Sequence, residues 1–274
     1  MLVEIQEPAL RDTVRNMSLD HLQRIHPAIF REEVPVRVIA IDEYSLKQLG
    51  QWPWPRHQIA HLIDTLNKMG ALVVVLDSIF AEPDRTSPEQ LLSQYELPEN
   101  LRSRLQELPK HDQMLAESFA RGQVVTGTPV ELKPTGERLP AAKAQFVSYG
   151  GDPIKYLTLY PGGLSNLPEL EQSATGNGII SVPPNSDGIV RSLPLLFNIE
   201  SRIYPTLGLE ALRVAMGLNS ISIHVDDDST SGNVPGITSV SIGKSLAVPS
   251  DDNGRVWLRF RHYQSKRYIS AARV

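Results

Sequence analysis

Cysteine is absent from the 274 residues, which excludes disulfide bonds, a thiolate nucleophile, Cys-ligated zinc and Cys-bound iron–sulfur clusters together. The absence suits an oxidising compartment, where stray thiols are a liability, but many cytoplasmic proteins share it. Long hydrophobic runs are missing too. The longest purely apolar stretch, Ala71–Leu76, is far short of the ~20 residues that span a bilayer as a helix. Met1 leads straight into a mixed, acidic segment, not the pattern of a signal peptide. There is no dense Lys/Arg run and the net charge is −4, so no nucleic-acid partner is expected. No Gly-x-Ser-x-Gly elbow surrounds any serine, which leaves a hydrolase of that type unsupported.

What is present is enough apolar material, 41% of residues, for one large domain or two small ones. Leu10, Val14, Met17, Leu22, Ile25 and Ile29 recur at three- and four-residue steps and predict a helix over the first thirty residues. That stripe fits docking on its own domain or pairing with a second copy equally well. After Pro35, Val36–Ile41 reads as a strand ending at Asp42. Trp52-Pro53-Trp54-Pro55-Arg56 is a stiff connector, because each proline fixes its own φ and restricts the residue before it. Ile59, Leu62, Ile63 and Leu66 then share a helix face, with Gly70 as the stop. Ala71–Leu76 reads as a strand buried on both faces, as in a parallel sheet covered by helices.

Ser78–Lys110 is polar and proline-punctuated, an insertion with one helix near Glu99–Leu108; Asp112–Arg121 is a helix capped by Gly122, and Val124–Val130 a third core strand. Glu131–Gln172 is loop-rich; Gly178–Val182 and Ile189–Asn198 read as strands and Leu207–Met216 as a helix. The last third, with Ile221–Val225, Val240–Ile242 and Val256–Phe260, resembles antiparallel strands. The expected fold is therefore α/β: a mostly parallel central sheet flanked by helices, a more antiparallel C-terminal part, and an N-terminal stalk helix.

At this point a family resemblance appears. Val38-Ile39-Ala40-Ile41-Asp42-Glu43, Gly50, Trp52-Pro53-Trp54-Pro55-Arg56, Gly70 and Leu76-Asp77-Ser78-Ile79-Phe80-Ala81-Glu82-Pro83-Asp84 occur in order. Asp187-Gly188-Ile189-Val190-Arg191, Tyr204-Pro205-Thr206-Leu207, Val248-Pro249 and Asn253-Gly254 follow. The ordered set resembles the CHASE type-2 domains, extracellular sensory domains of bacterial cyclases and histidine kinases, over nearly the whole chain. The resemblance implies an extracytoplasmic sensor in a membrane-embedded receptor, and the apolar stripe of the first helix adds the expectation of a homodimer. It would sense an unknown small ligand or environmental stimulus, without cofactor or catalytic chemistry, and report to a cytoplasmic cyclase or kinase. Residues 1–34 would then be a juxtamembrane stalk and residues 35–274 a single sensor domain, with Tyr268–Val274 opening an exit helix.

Several side chains invite a sharper reading. His57 and His61 share a helix face at zinc-ligand spacing, but the metalloprotease glutamate is missing between them and no third ligand is evident. Gly243-Lys244-Ser245 imitates the end of a phosphate loop, yet Thr238 stands where the first glycine belongs. Asp42 and Asp77 each follow a core strand; if those strands are parallel neighbours, both carboxylates face the sheet edge where open α/β folds bind ligands or hard cations. Each could instead cap a helix or turn, or pair with Arg56. Trp52 and Trp54 suit a ligand platform or a plug over the core. Asp187 and Arg191 suit an ion pair or an anion site. Asp42, Trp52, Trp54, Arg56, Asp77, Asp187 and Arg191 are thus the ligand-binding candidates. The rival functions are a metal-dependent hydrolase using Asp42 and Asp77, and a periplasmic partner-binding module.

Overall fold

The β-branched run after Pro35 does become a strand, Val38–Ala40, but its partner lies at the other end of the sequence. It runs parallel to Tyr268–Ser270, with Val38 opposite Tyr268 and Ala40 opposite Ser270. In place of the helix expected over Tyr268–Val274, these three residues are strand and Ala271–Arg273 is one 3-10 turn. An aromatic followed by a β-branched residue suits a pleated surface, and a partner edge is present to receive it. The computed structural model describes residues 8–29, 31, 34–136, 138–184, 187–227 and 234–274. The chain divides into a smaller unit, Met1–Leu49 with Trp257–Arg273, and a larger one, Gly50–Val256.

Within the smaller unit the helix is Pro8–Ile25, opened by a proline whose fixed φ suits a first turn and closed with Arg24 beside its terminal carbonyls. Val14, Met17, Leu22 and Ile25 of the apolar stripe are exposed. What ties this helix down is polar. Gln23 Nε2 donates to the Leu258 carbonyl at 3.2 Å and Gln23 Oε1 accepts from Phe260 N at 3.0 Å, while Arg15 stacks 5.0 Å over Trp257. A short helix, Glu43–Leu49, follows the first strand.

The larger unit is built on a three-stranded parallel sheet in the order Val74–Leu76, Val124–Thr128, Gly176–Ile179. Two-faced burial belongs to the middle strand and to Gly176–Ile179, where every residue is buried. Val74–Leu76 is an edge strand with Val75 exposed, a correction to the expectation for that run. Helix Arg56–Lys68 buries Ile59, Ala60 and Ile63 and packs on helix His111–Arg121, which buries Leu115, Ala116 and Phe119. Each such side chain contributes about 1.5–3 kcal/mol, less for the alanines. The first helix stops at Gly70, whose φ of +90° only glycine adopts without strain. Gly122 differs. Its φ is −140°, but a Cβ there would run into the Asn67 side chain.

The expected antiparallel part forms a second, four-stranded sheet: Leu246–Pro249, Gly236–Ile242 and Ser220–Asp226 are antiparallel neighbours. Its fourth strand, Gln145–Tyr149, runs parallel to Ser220–Asp226 inside the stretch read as loop. Ile221, Ile223 and Val225 alternate inward and meet Ile237, Val240 and Ile242 in one core. Gly243-Lys244-Ser245 is the hairpin turn of this sheet, with Gly243 at φ +60°. Helix Leu207–Ala215 carries a buried, bidentate pair: Arg213 Nη2 and Nε lie 2.6 and 2.8 Å from the two Glu210 oxygens. The described residues form a mixed α/β architecture with several sheets, one of three parallel strands and others that combine parallel and antiparallel neighbours.

Candidate functional site

Pro55 holds extended backbone (φ −52°, ψ 142°) and delivers Arg56 as the first residue of its helix. The exposed N–H groups of a helix start attract carboxylates, and one arrives from a distant loop. Arg56 N donates to Asp84 Oδ2 at 2.7 Å. The other Asp84 oxygen accepts from Thr86 N at 2.9 Å and Thr86 Oγ1 at 2.8 Å, and His111 Nδ1 stands 3.1 Å from Oδ2. Asp112 Oδ2 in turn accepts from Asp84 N at 2.9 Å. The Arg56 guanidinium lies 4.5 Å over the Phe80 ring, with Nε 3.6 Å from Asp112 Oδ1. His57 and His111 face each other at 4.4 Å between ring centres. Ser87 Oγ completes the knot, accepting from His111 N at 3.0 Å and donating to Glu89 Oε2 at 2.6 Å.

The loop from Phe80 to Glu89 is therefore stitched to the starts of two helices by a buried cluster of charge. Burial alone would raise Asp84; the Arg56 and Thr86 N–H groups, the Thr86 hydroxyl and His111 outweigh it and hold the carboxyl below its usual range. Asp112 goes the other way, raised by burial against the pull of the Asp84 N–H and Arg56. His57 is lowered by burial and by His111, which keeps it neutral at pH 7. Arg56 is lowered by burial against the attraction of Asp112 and Asp84. Arg56 Nε, His57 Nδ1 and Asp112 Oδ1 are buried without a hydrogen bond, so the cluster is tightly constrained rather than fully satisfied. It joins loop to helices.

The structure gathers only part of the expected set here. Arg56 is at the centre. Trp54 is buried, donating from Nε1 to the Gly50 carbonyl at 2.8 Å, while Trp52 is exposed and meets it edge-on at 5.8 Å. Asp77 is exposed at the end of the edge strand Val74–Leu76. Asp42 lies in the smaller unit, where its Oδ1 accepts from Ser45 N at 2.9 Å, Ser45 Oγ at 2.7 Å and Ser270 Oγ at 2.8 Å. Those bonds, led by the Ser45 N–H, hold its carboxyl below the usual range. The strands before Asp42 and Asp77 are not neighbours: one pairs with Tyr268–Ser270, the other with Val124–Thr128. The shared sheet edge that the hydrolase reading requires is absent. Among the described residues no group of three or more His, Asp or Glu side chains is placed to hold a metal. Buried Arg191 donates from Nη1 to both oxygens of Asp187, at 2.9 and 2.8 Å, which is the ion-pair geometry.

Asp84, His111 and Asp112 were not among the sequence candidates. Their only local signals are the Asp-x-Thr spacing of Asp84 and Thr86, which suits an Asx turn, and an acid in the first turn of helix His111–Arg121.

The chain is thus a mixed α/β protein with a buried charged cluster in its larger unit. All of it, residues 1–274, matches the CHASE2 domain family, to which the protein belongs. CHASE2 domains are extracellular and sensory rather than catalytic. No curated protein and no solved structure matches the chain. No helix among the described residues is long and apolar enough to cross a membrane.

Proposed function

We propose that this chain is the extracytoplasmic sensor of a bacterial membrane receptor, passing a stimulus to a cytoplasmic cyclase or kinase. One observation supports this reading above others. The strand after the N-terminal helix is hydrogen-bonded to the last strand, and Asp42 bonds Ser270 across a separation of 228 residues. A sensor linked to a membrane on both sides needs its entering and leaving segments in one unit. The exposed Val14, Met17, Leu22 and Ile25 support a homodimer joined along the N-terminal helices. A stimulus acts by favouring one dimer arrangement over another, since equal affinity for both would shift nothing. Trp52 and Asp77 are the candidates left to meet it, being exposed and without hydrogen bond or ion pair among the described residues.

The cysteine-free sequence offers a direct test. Leu132 is 81% exposed, so Leu132→Cys in the parent protein should react with a membrane-impermeant maleimide in intact cells stripped of outer barriers. Labelling only after permeabilisation would defeat the placement. The same preparation, cross-linked through Met17→Cys, should yield a dimer; a monomer throughout would defeat the dimer.

A further inference from the structure

Residues 257–273 hold five Lys or Arg residues and no Asp or Glu, within a chain that is net −4. The aromatic side chains of the same segment are uncovered: Trp257, Phe260, Tyr263 and Tyr268 are all exposed, and Tyr263 stacks on Tyr268 at 4.9 Å. Beside them Arg31, Arg259 and Arg261 converge with Ala28, Ile29 and Val34 around a cavity of about 260 Å³. Their three guanidinium groups form no ion pair or hydrogen bond among the described residues, and Ile29 is 81% exposed. Glu32 and Glu33 follow Arg31 in sequence and lie outside the described residues.

Two kinds of occupant would cover exposed aromatics of this size. A second copy would set one run of cations against another, which like-charge repulsion opposes. A bilayer surface suits both features at once. Tyr and Trp rings settle at headgroup level, and cations beside them are drawn to anionic lipid phosphates. We propose that residues 257–273, with Ile29 and Arg31, form a docking surface for the anionic headgroups of a phospholipid bilayer. The inference rests on the membrane-proximal placement proposed above and adds a ligand chemistry to it. Docking would fix the height and tilt of the smaller unit over the membrane, so lipid composition becomes an input to the sensor.

Vesicle co-flotation of the full chain tests it. Phosphatidylcholine vesicles containing phosphatidylglycerol should bind the chain, and high salt should release it. Pure phosphatidylcholine should not bind it. Arg259→Gln with Arg261→Gln should weaken binding by roughly fivefold for each charge removed, while Lys244→Gln, in the hairpin of the larger unit, should leave it unchanged. The melting temperature of each variant separates weak docking from misfolding. Equal binding by the double variant and the wild type would overturn the proposal, as would no affinity for phosphatidylglycerol. So would a double variant that changes oligomeric mass in place of vesicle binding. Failure here with extracytoplasmic labelling intact removes only the docking surface; failed labelling leaves vesicle binding to stand as a separate result.

Discussion

Removing the Asp84 carboxylate tests the charged cluster most directly. Asp84→Ala strips the partner from the Arg56 and Thr86 N–H groups and from His111, and leaves Arg56 with Asp112 as its remaining carboxylate. Asp84 is 6% exposed, so water would not replace those bonds without rearrangement. An orphaned buried donor costs about 1–3 kcal/mol and a broken buried ion pair about 3–5 kcal/mol. The orphaned groups overlap, so the expected loss is about 3–5 kcal/mol, a large share of the ~5–15 kcal/mol that holds a typical domain. Asp84→Asn should lose less, because its amide keeps an acceptor but must point NH₂ at one of the two N–H groups. Urea unfolding at pH 7 measures both. The pH dependence has a definite sign. Asp84 sits below its ordinary value when folded, so its contribution is present above the unfolded value of about 3.9 and lost as pH falls through the folded one. The gap between wild type and Asp84→Asn should therefore be widest above pH ~4 and narrow below it. A loss under about 1 kcal/mol at pH 7, or a gap that widens in acid, would refute the reasoning.

Three further changes have defined outcomes. Gly122→Ala should destabilise by no more than about 1 kcal/mol, because the Asn67 amide that its Cβ meets can swing aside; a larger drop in the melting temperature would count against that, and Gly122→Ala with Asn67→Ala should recover the loss. Arg213→Met strands the fully buried Glu210 carboxylate and should cost about 3–5 kcal/mol, whereas Arg213→Met with Glu210→Leu should recover most of that loss in the same unfolding assay. Asp42→Ala removes the acceptor shared by Ser45 and Ser270, so amide exchange at Tyr268–Ser270 should quicken while the larger unit keeps its protection; unchanged exchange at those residues would count against the clasp.

Local signals in this sequence were readable where neighbours decide the outcome. Helix Arg56–Lys68 starts and stops where Pro55 and Gly70 punctuate the chain, and Leu207–Ala215 follows its own apolar face. The strand Ser220–Asp226 alternates as a half-buried strand should. Pairing was harder, because nothing within Val38–Ala40 says that its partner is Tyr268–Ser270 rather than Val74–Leu76. The misplaced meeting of Asp42 with Asp77 follows from that one ambiguity. Gln145–Tyr149 escaped notice because its Ser148 and flanking Gly150-Gly151 read as loop. Of the charged cluster, Arg56 stood out beside its prolines, but Asp84, His111 and Asp112 converge only after three separate segments fold together.

The pairing of Val38–Ala40 with Tyr268–Ser270 also sets an order of assembly. Contacts this remote in sequence form late, since the intervening chain must first be drawn together. Synthesis must reach Ser270 before the opening strand has an edge to join, and by then the sheet around Val124–Thr128 has had its complete sequence available. A nascent chain is thus left with an unpaired, apolar strand until Tyr268–Ser270 emerge, and a product cut short before Tyr268 should carry that strand as a handle for proteases.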